Sequence, residues 1–308
     1  MSRSRGTAVA TALLCAALAA AGCGLGPGAD VGAVELTVTR EFGAVPVVDR
    51  RVEASESDTV MRVLEGSAEI STRYGAGFVH GIDGVEETER GGDPYDWFFF
   101  VDGVESPIGA AEYELRGGER IWWDYRDWIA TNHVPAVVGS WPAPFVNGYE
   151  GRERPVALVC EGGGAACARV RAALTGAGVE LGSTGSPQAA IRVLVGPWER
   201  LRDDPAAALI EAGPAESGVY ADFERSGGGY DLIGLDQDGE PARRLGPGAG
   251  LVAATRRYEA PPTWLVTGGT AAAVGAAAAL LGRERLRDRY AIAAVGEGGM
   301  ALPLEAPR

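Results

Sequence analysis

The sequence contains no lysine; all 28 of its basic residues are arginine. A phosphate-gripping Walker-A lysine, a pyridoxal Schiff base and a lysine nucleophile are therefore excluded. Histidine is nearly absent, with only His80 and His133, far apart and both read as structural. That leaves little for a zinc site or for a Ser–His or Cys–His mechanism. Neither HExxH nor GxSxG occurs. Positive charge is in deficit as well. The 42 acidic residues against 28 arginines give a net charge of −14, so no nucleic acid partner is expected. What is present is a globular composition: 46% hydrophobic residues over 308 positions, enough for about two domains.

The chain opens with Arg3 and Arg5, then an apolar run of small residues from Ala8 to Ala21. This pattern is that of a secretory signal, too short for a membrane-spanning helix. Cys23 follows Ala20-Ala21-Gly22 and resembles the lipidated cysteine of a bacterial lipobox. Residues 1–22 are thus expected to be removed, Cys23 acylated, and residues 23–32 to form a Gly-rich tether. The mature chain would hold 26 arginines against 42 acids, a charge of −16. Its partner is then the lipid bilayer, through the acyl chain rather than through charge. Cys15 leaves with the signal. Cys160 and Cys167, with six residues between them, remain and read as a disulfide in an oxidising compartment, a metal site or redox pair being the alternatives.

Residues 33–128 read as a small mixed domain. Val34, Leu36 and Val38 alternate with Glu35, Thr37 and Thr39, which predicts a half-buried strand. Val45 to Val52 predicts its hairpin partner. Ser57-Asp58-Thr59 precedes apolar residues at helical spacing, and Ser and Asp offer N-cap oxygens. Strands follow at Phe78–Ile82, Trp97–Val101, Tyr113–Leu115 and Ile121–Tyr125. The order predicts a β-grasp-like sheet crossed by one helix.

The segments SDTVMRVLE, GFVHGIDGVE, YDWFFFVDGVE and AEYELRGGERIWWDY stand in the order seen in the transcobalamin C-terminal-like domain, which this region resembles. Thr59, Gly77-Phe78, Ile82-Asp83-Gly84, Trp97, Asp102-Gly103 and Trp122 carry the likeness; Gly117-Gly118-Glu119 departs from the family's Gly-Asp turn. The resemblance implies a binding-module fold and a flat ligand such as cobalamin or another corrinoid. The helical barrel that forms the other wall of the transcobalamin site has no counterpart here, and fold likeness alone does not fix a ligand.

Ten of the 23 aromatic residues lie between Tyr95 and Trp128. Neighbours on a strand face opposite ways, so Trp97, Phe99 and Val101 share one face, Phe98 and Phe100 the other, and Trp122 and Trp123 must split. One helix covers one face. The remaining face is either covered by the second domain or by Trp141, or open as a platform. Trp97, Phe99, Tyr113, Trp122 and Tyr125 are the candidate ligand-binding residues.

Residues 129–152, rich in Pro and Gly, read as an ordered linker. Residues 153–308 alternate strands and helices and predict an α/β domain, with helices after Cys160, over Trp198–Ile210 and over Thr270–Leu281. An antiparallel meander is expected from Val219–Phe223, Tyr230–Leu235 and a short third run, turning at Gly227-Gly228-Gly229 and Asp238-Gly239. The CEGGGAAC turn lacks the full dinucleotide fingerprint, VTGGT reads as a tight turn with Thr270 as cap, and DQDGE reads as a hairpin turn. The 18-residue apolar run Trp264–Leu281 reads as strand, turn and helix rather than a membrane span.

The expected fold class is α+β: an N-terminal β-grasp-like domain with one helix, followed by an α/β domain. The expected role is a membrane-anchored extracytoplasmic lipoprotein, a non-enzymatic binding module for a flat, cofactor-like ligand feeding an uptake system, a corrinoid being the ligand the resemblance implies, with no cofactor required. The alternative is an envelope scaffold whose aromatic sheet packs on a protein partner or on its own second domain. A carboxylate hydrolase is the enzyme alternative, but no spacing singles out a catalytic pair.

Overall fold

In the computed structural model the described residues are 28–73, 77–86, 88–162, 164–182 and 189–306. The signal, Cys23 and most of the tether lie outside them. The first half consists of β1 (Asp30–Arg40), β2 (Val45–Ser55), α1 (Val60–Glu65), β3 (Ile70–Arg73), β4 (Phe78–Ile82), β5 (Glu89–Arg90), β6 (Asp93–Val101), β7 (Val104–Glu105) and β8 (Arg120–Asp127). β1 starts inside the segment assigned to the tether, because Asp30 already pairs with Ser55 of β2.

The main sheet runs β2-β1-β8-β6-β5, with β7 on β6. β1 is parallel to β8 and antiparallel to β2, and β6 is antiparallel to β8. A hairpin, a crossing helix and a central parallel pair make the β-grasp-like arrangement expected from the element order. α1 is opened by Thr59, whose Oγ1 accepts from Arg62 N at 3.3 Å. Asp58 does not cap the helix as expected: its carboxylate accepts from Ser55 N and Oγ at 2.8 Å each.

Alternation sorts the sheet residues. Val34, Leu36, Val38, Trp97, Val101, Ile121, Trp123 and Tyr125 pack with α1 in one core. Phe100 and Trp122 point the opposite way, into a core shared with the second half. The polar face expected on β1 is not solvated: Thr37 and Thr39 are buried, because the second half lies over it.

The linker is buried rather than merely ordered. Val134, Val137, Val138 and Trp141 lie inside, and α2 (Ala143–Val146) follows. The linker is stitched to both sides, with Val137 N donating to Gly103 O at 2.9 Å and Val138 N to Tyr290 O at 3.2 Å.

The second half holds β9 (Val156–Cys160), α3 (Gly164–Gly176), β10 (Ile191–Pro197), α4 (Trp198–Leu201), a 3-10 turn (Ile210–Ala212), α5 (Pro214–Ser217), β11 (Ala221–Ser226), β12 (Gly229–Leu235), β13 (Pro241–Gly246), β14 (Gly250–Thr255), β15 (Thr263–Gly268), α6 (Ala271–Ala278), α7 (Arg283–Leu286), β16 (Ala291–Val295) and β17 (Gly298–Leu302). One sheet runs β17-β16-β14-β15-β10-β9, and β11-β12-β13 forms the expected meander. Only β9, β10 and β15 are mutually parallel; β14, β16 and β17 add antiparallel strands, so the α/β pattern covers part of this sheet. The whole chain is α+β.

The helix expected over Trp198–Ile210 stops at Leu201. Pro205 cannot donate to a helix, and the Asp204 carboxylate instead takes Ala206 N at 2.9 Å and Arg192 Nη1 at 2.6 Å. The apolar run Trp264–Leu281 resolves into β15 and α6, with Thr270 capping α6 through Ala273 N at 3.2 Å. Among the described residues no helix is long and apolar enough to cross a membrane. Cys160 and Cys167 form a disulfide that ties the end of β9 to the first turn of α3, Cα to Cα 5.9 Å.

Candidate functional site

The five residues expected to present an aromatic platform do not present one. Trp122 and Tyr125 are completely buried, and Trp97 and Tyr113 nearly so; Phe99 alone is half-buried. The reason is that both faces of the sheet are covered. On the α1 side, Trp97 and Tyr125 rings meet at 5.2 Å, Trp97 Nε1 donates to Val85 O at 3.1 Å, and Phe99 stacks on Trp123 at 4.7 Å. On the other side Trp122 lies 5.4 Å from Phe100 and 5.3 Å from Tyr290 of the second half.

That junction carries a buried polar chain. Trp122 Nε1 donates to Thr39 Oγ1 at 2.8 Å, which donates to Asp124 Oδ1 at 2.5 Å. Gly43 N and the Tyr290 hydroxyl also donate to Asp124, at 3.1 and 3.0 Å. Complete burial pushes the Asp124 carboxyl up to about 7, and these donors pull it back only in part. Arg126 beside it lies 3.9 Å from the Phe98 ring and donates to the carbonyls of Asp127 and Thr131 at 2.9 and 2.8 Å.

Open concave surface lies elsewhere, along the loop between β7 and β8. Backbone bonds lay this loop over the start of α1: Val60 N donates to Tyr113 O at 3.1 Å and Met61 N to Ala110 O at 2.9 Å. One chamber, of about 610 Å3, is lined by Val31, Ile108, Tyr113 and Leu115 and rimmed by Glu56, Glu112 and Glu114. Of the five candidates only Tyr113 lines it, and the Tyr113 hydroxyl donates to Glu119 Oε1 at 3.2 Å. Burial raises both the Tyr113 hydroxyl and the Glu119 carboxyl.

A second chamber, of about 690 Å3, adjoins the first at Pro107 and Glu150. Arg152, Arg154 and Arg256 line it, with His133 and Tyr258. Arg154 and Arg256 flank the Tyr149 ring, their Cζ atoms 4.7 and 5.0 Å from its centre. His133 pairs with Glu105, a contact that raises the imidazole. His80 is held 3.8 Å from Glu86 instead. Among the described residues no group of three or more His, Cys, Asp or Glu is placed to hold a metal ion.

Sequence reasoning passed over these arginines. The usable signal was local: Arg152-x-Arg154 and Arg256-Arg257-Tyr258 are cationic clusters in an acidic chain. Nothing in their spacing announces that the fold brings them together.

A family model described as a domain of unknown function (DUF4430) matches residues 57–127. The match starts just before α1 and ends with β8, so it spans the region from the crossing helix to the central aromatic strand. No curated protein matches the chain.

Proposed function

We propose that this chain is a lipid-anchored extracytoplasmic binding module, without a catalytic step, that takes a flat, cofactor-sized ligand. The transcobalamin C-terminal-like resemblance falls on the residues that the DUF4430 model matches, and a corrinoid is the ligand class it supplies. The export reading is supported by the signal-like start and by the Cys160–Cys167 disulfide, a bond favoured outside the reducing cytosol.

The observation that carries the reading is the 610 Å3 chamber over the β7–β8 loop, within the range of small-molecule sites. Its apolar floor of Val31, Ile108 and Leu115 offers contact, and Tyr113 borders it. The binding surface proposed is thus this chamber and not the enclosed faces of the sheet. Equilibrium dialysis of the full-length protein with cobinamide should show saturable one-to-one binding that Ile108→Arg abolishes. No retention up to millimolar cobinamide would remove the corrinoid ligand.

A scaffold role has one favouring observation: the aromatic sheet does pack on the second half through Trp122, Phe100 and Tyr290. In that reading the aromatics fix the relation of the two halves, and any envelope partner binds outside them.

A further inference from the structure

We propose that the arginine-lined chamber is a separate anion site, built for a phosphate or carboxylate carried on a flat ring. In a chain with 14 more acidic than basic residues, three arginines converge on one 690 Å3 cavity. The carboxylates that face the same space are Glu105, Glu150 and Glu259. Two of them are already engaged: Glu105 by His133, and Glu150 by Arg256 Nη2 at 2.7 Å. Arg152 and Arg154 have no ion-pair partner among the described residues; the three arginines face three carboxylates, Glu259 included, and His133, raised by Glu105, adds positive charge when protonated.

The site is built rather than incidental. The Arg256 side chain is only 7% exposed. It is anchored by Nε to Ala260 O at 2.9 Å, by Nη2 to Glu150, and by a further hydrogen bond to Tyr149. The Arg154 Nε is buried with no hydrogen-bond partner. Both guanidiniums are held against Tyr149, so little rotamer freedom remains to be lost on binding. Planar forks of fixed orientation suit two-oxygen anions. At the rim Tyr258 is 85% exposed, at a φ of 52°, with Arg257 5.5 Å from its ring. An exposed ring held beside an arginine-lined pocket offers a stacking surface to an aromatic body whose anionic group lies within.

Isothermal titration of the full-length protein with phenyl phosphate, benzoate and inorganic phosphate tests this. Phenyl phosphate should bind saturably, weaken as salt is raised, and bind tighter than inorganic phosphate. Arg154→Gln and Arg152→Gln should each weaken it about tenfold, the loss of one charge-assisted contact. Tyr258→Ala should bring phenyl phosphate down to the affinity of inorganic phosphate. Ile108→Ala, which adds no charge beside the anion chamber, should leave phenyl phosphate binding unchanged while it weakens cobinamide binding, so this result and the corrinoid result are read independently. Near-UV circular dichroism checks that each variant is folded. Absence of saturable binding, or equal affinity in a folded Arg152→Gln/Arg154→Gln double variant, overturns the proposal.

Discussion

Trp122 shows how one side chain can serve packing and polarity at once. Its ring fills the space between Phe100 and Tyr290, while its Nε1 starts the chain through Thr39 to Asp124. Trp122→Ala would leave a large cavity and remove the donor to the Thr39 hydroxyl, which keeps its bond to Asp124, and should destabilise the protein by about 3–5 kcal/mol in urea denaturation. Trp128, 39% exposed, is the contrast: Trp128→Ala should cost about 1 kcal/mol or less. Asp124 sets a pH dependence. Its carboxyl is pushed up to about 7 by burial, Asp102 to about 8 and Asp127 to about 6 by the same cause. A carboxyl with a folded pKa above its unfolded value of about 3.9 binds its proton more tightly when folded. Its contribution is full at about pH 4 and is lost as pH rises through the folded values. His133, raised by Glu105, acts in the same direction. The thermal midpoint should therefore fall between about pH 5 and pH 8.5, and Asp124→Asn should flatten that fall. An Asp124→Asn profile as steep as the parent's would contradict the assignment.

Among the elements, those with a strict period were legible. The alternation of Val34, Leu36 and Val38 located β1, and the run Trp97–Val101 located β6 with its two faces correctly divided. Helix lengths were less legible. Trp198–Ile210 has helical spacing, yet Asp204 is drawn off by Arg192 and Pro205 interrupts, a tertiary effect that periodicity does not carry. The cap of α1 was also displaced by competition, Asp58 serving Ser55 while Thr59 caps. Thr59→Ala should cost about 1 kcal/mol, the ordinary value of a lost cap, read as a shift in the denaturant midpoint. The Cys160–Cys167 pair joins β9 to α3 across a short loop. Reduction should lower stability by roughly 2–3 kcal/mol while far-UV circular dichroism stays nearly unchanged.

For the whole molecule, the relation between the two halves decided what the aromatic residues do. Their density and facing were readable from the sequence; whether the second face is open or closed was not, because that depends on Tyr220 and Tyr290, far along the chain. Ring contacts of 5.2 and 5.1 Å join Phe42 to these two tyrosines. Backbones also meet closely: a Cβ at Gly43 would lie 1.9 Å from the Asp288 carbonyl oxygen, and Gly43 has a φ of 82°. Surface ion pairs Glu35–Arg283 and Asp49–Arg287 add to the seam, together with the deeper Arg120–Asp288 pair. A fragment of residues 28–130 should thus expose Phe100, Trp122 and Asp124. It is expected to bind a hydrophobic dye and to self-associate in analytical ultracentrifugation, whereas the full-length chain stays monomeric and dark. A monomeric fragment with shielded tryptophans would show that the second half is not needed as a cover.

The bond between Asp124 and Tyr290 closes a loop of 166 residues. A ribosome delivers Asp124 long before Tyr290, so throughout that interval the growing polypeptide carries an unfinished indole-bearing layer. Pairings of such long range are slow to form and leave sticky intermediates. Holding the nascent chain unfolded until its far end has emerged is the cost of closing the first half of the molecule with the last.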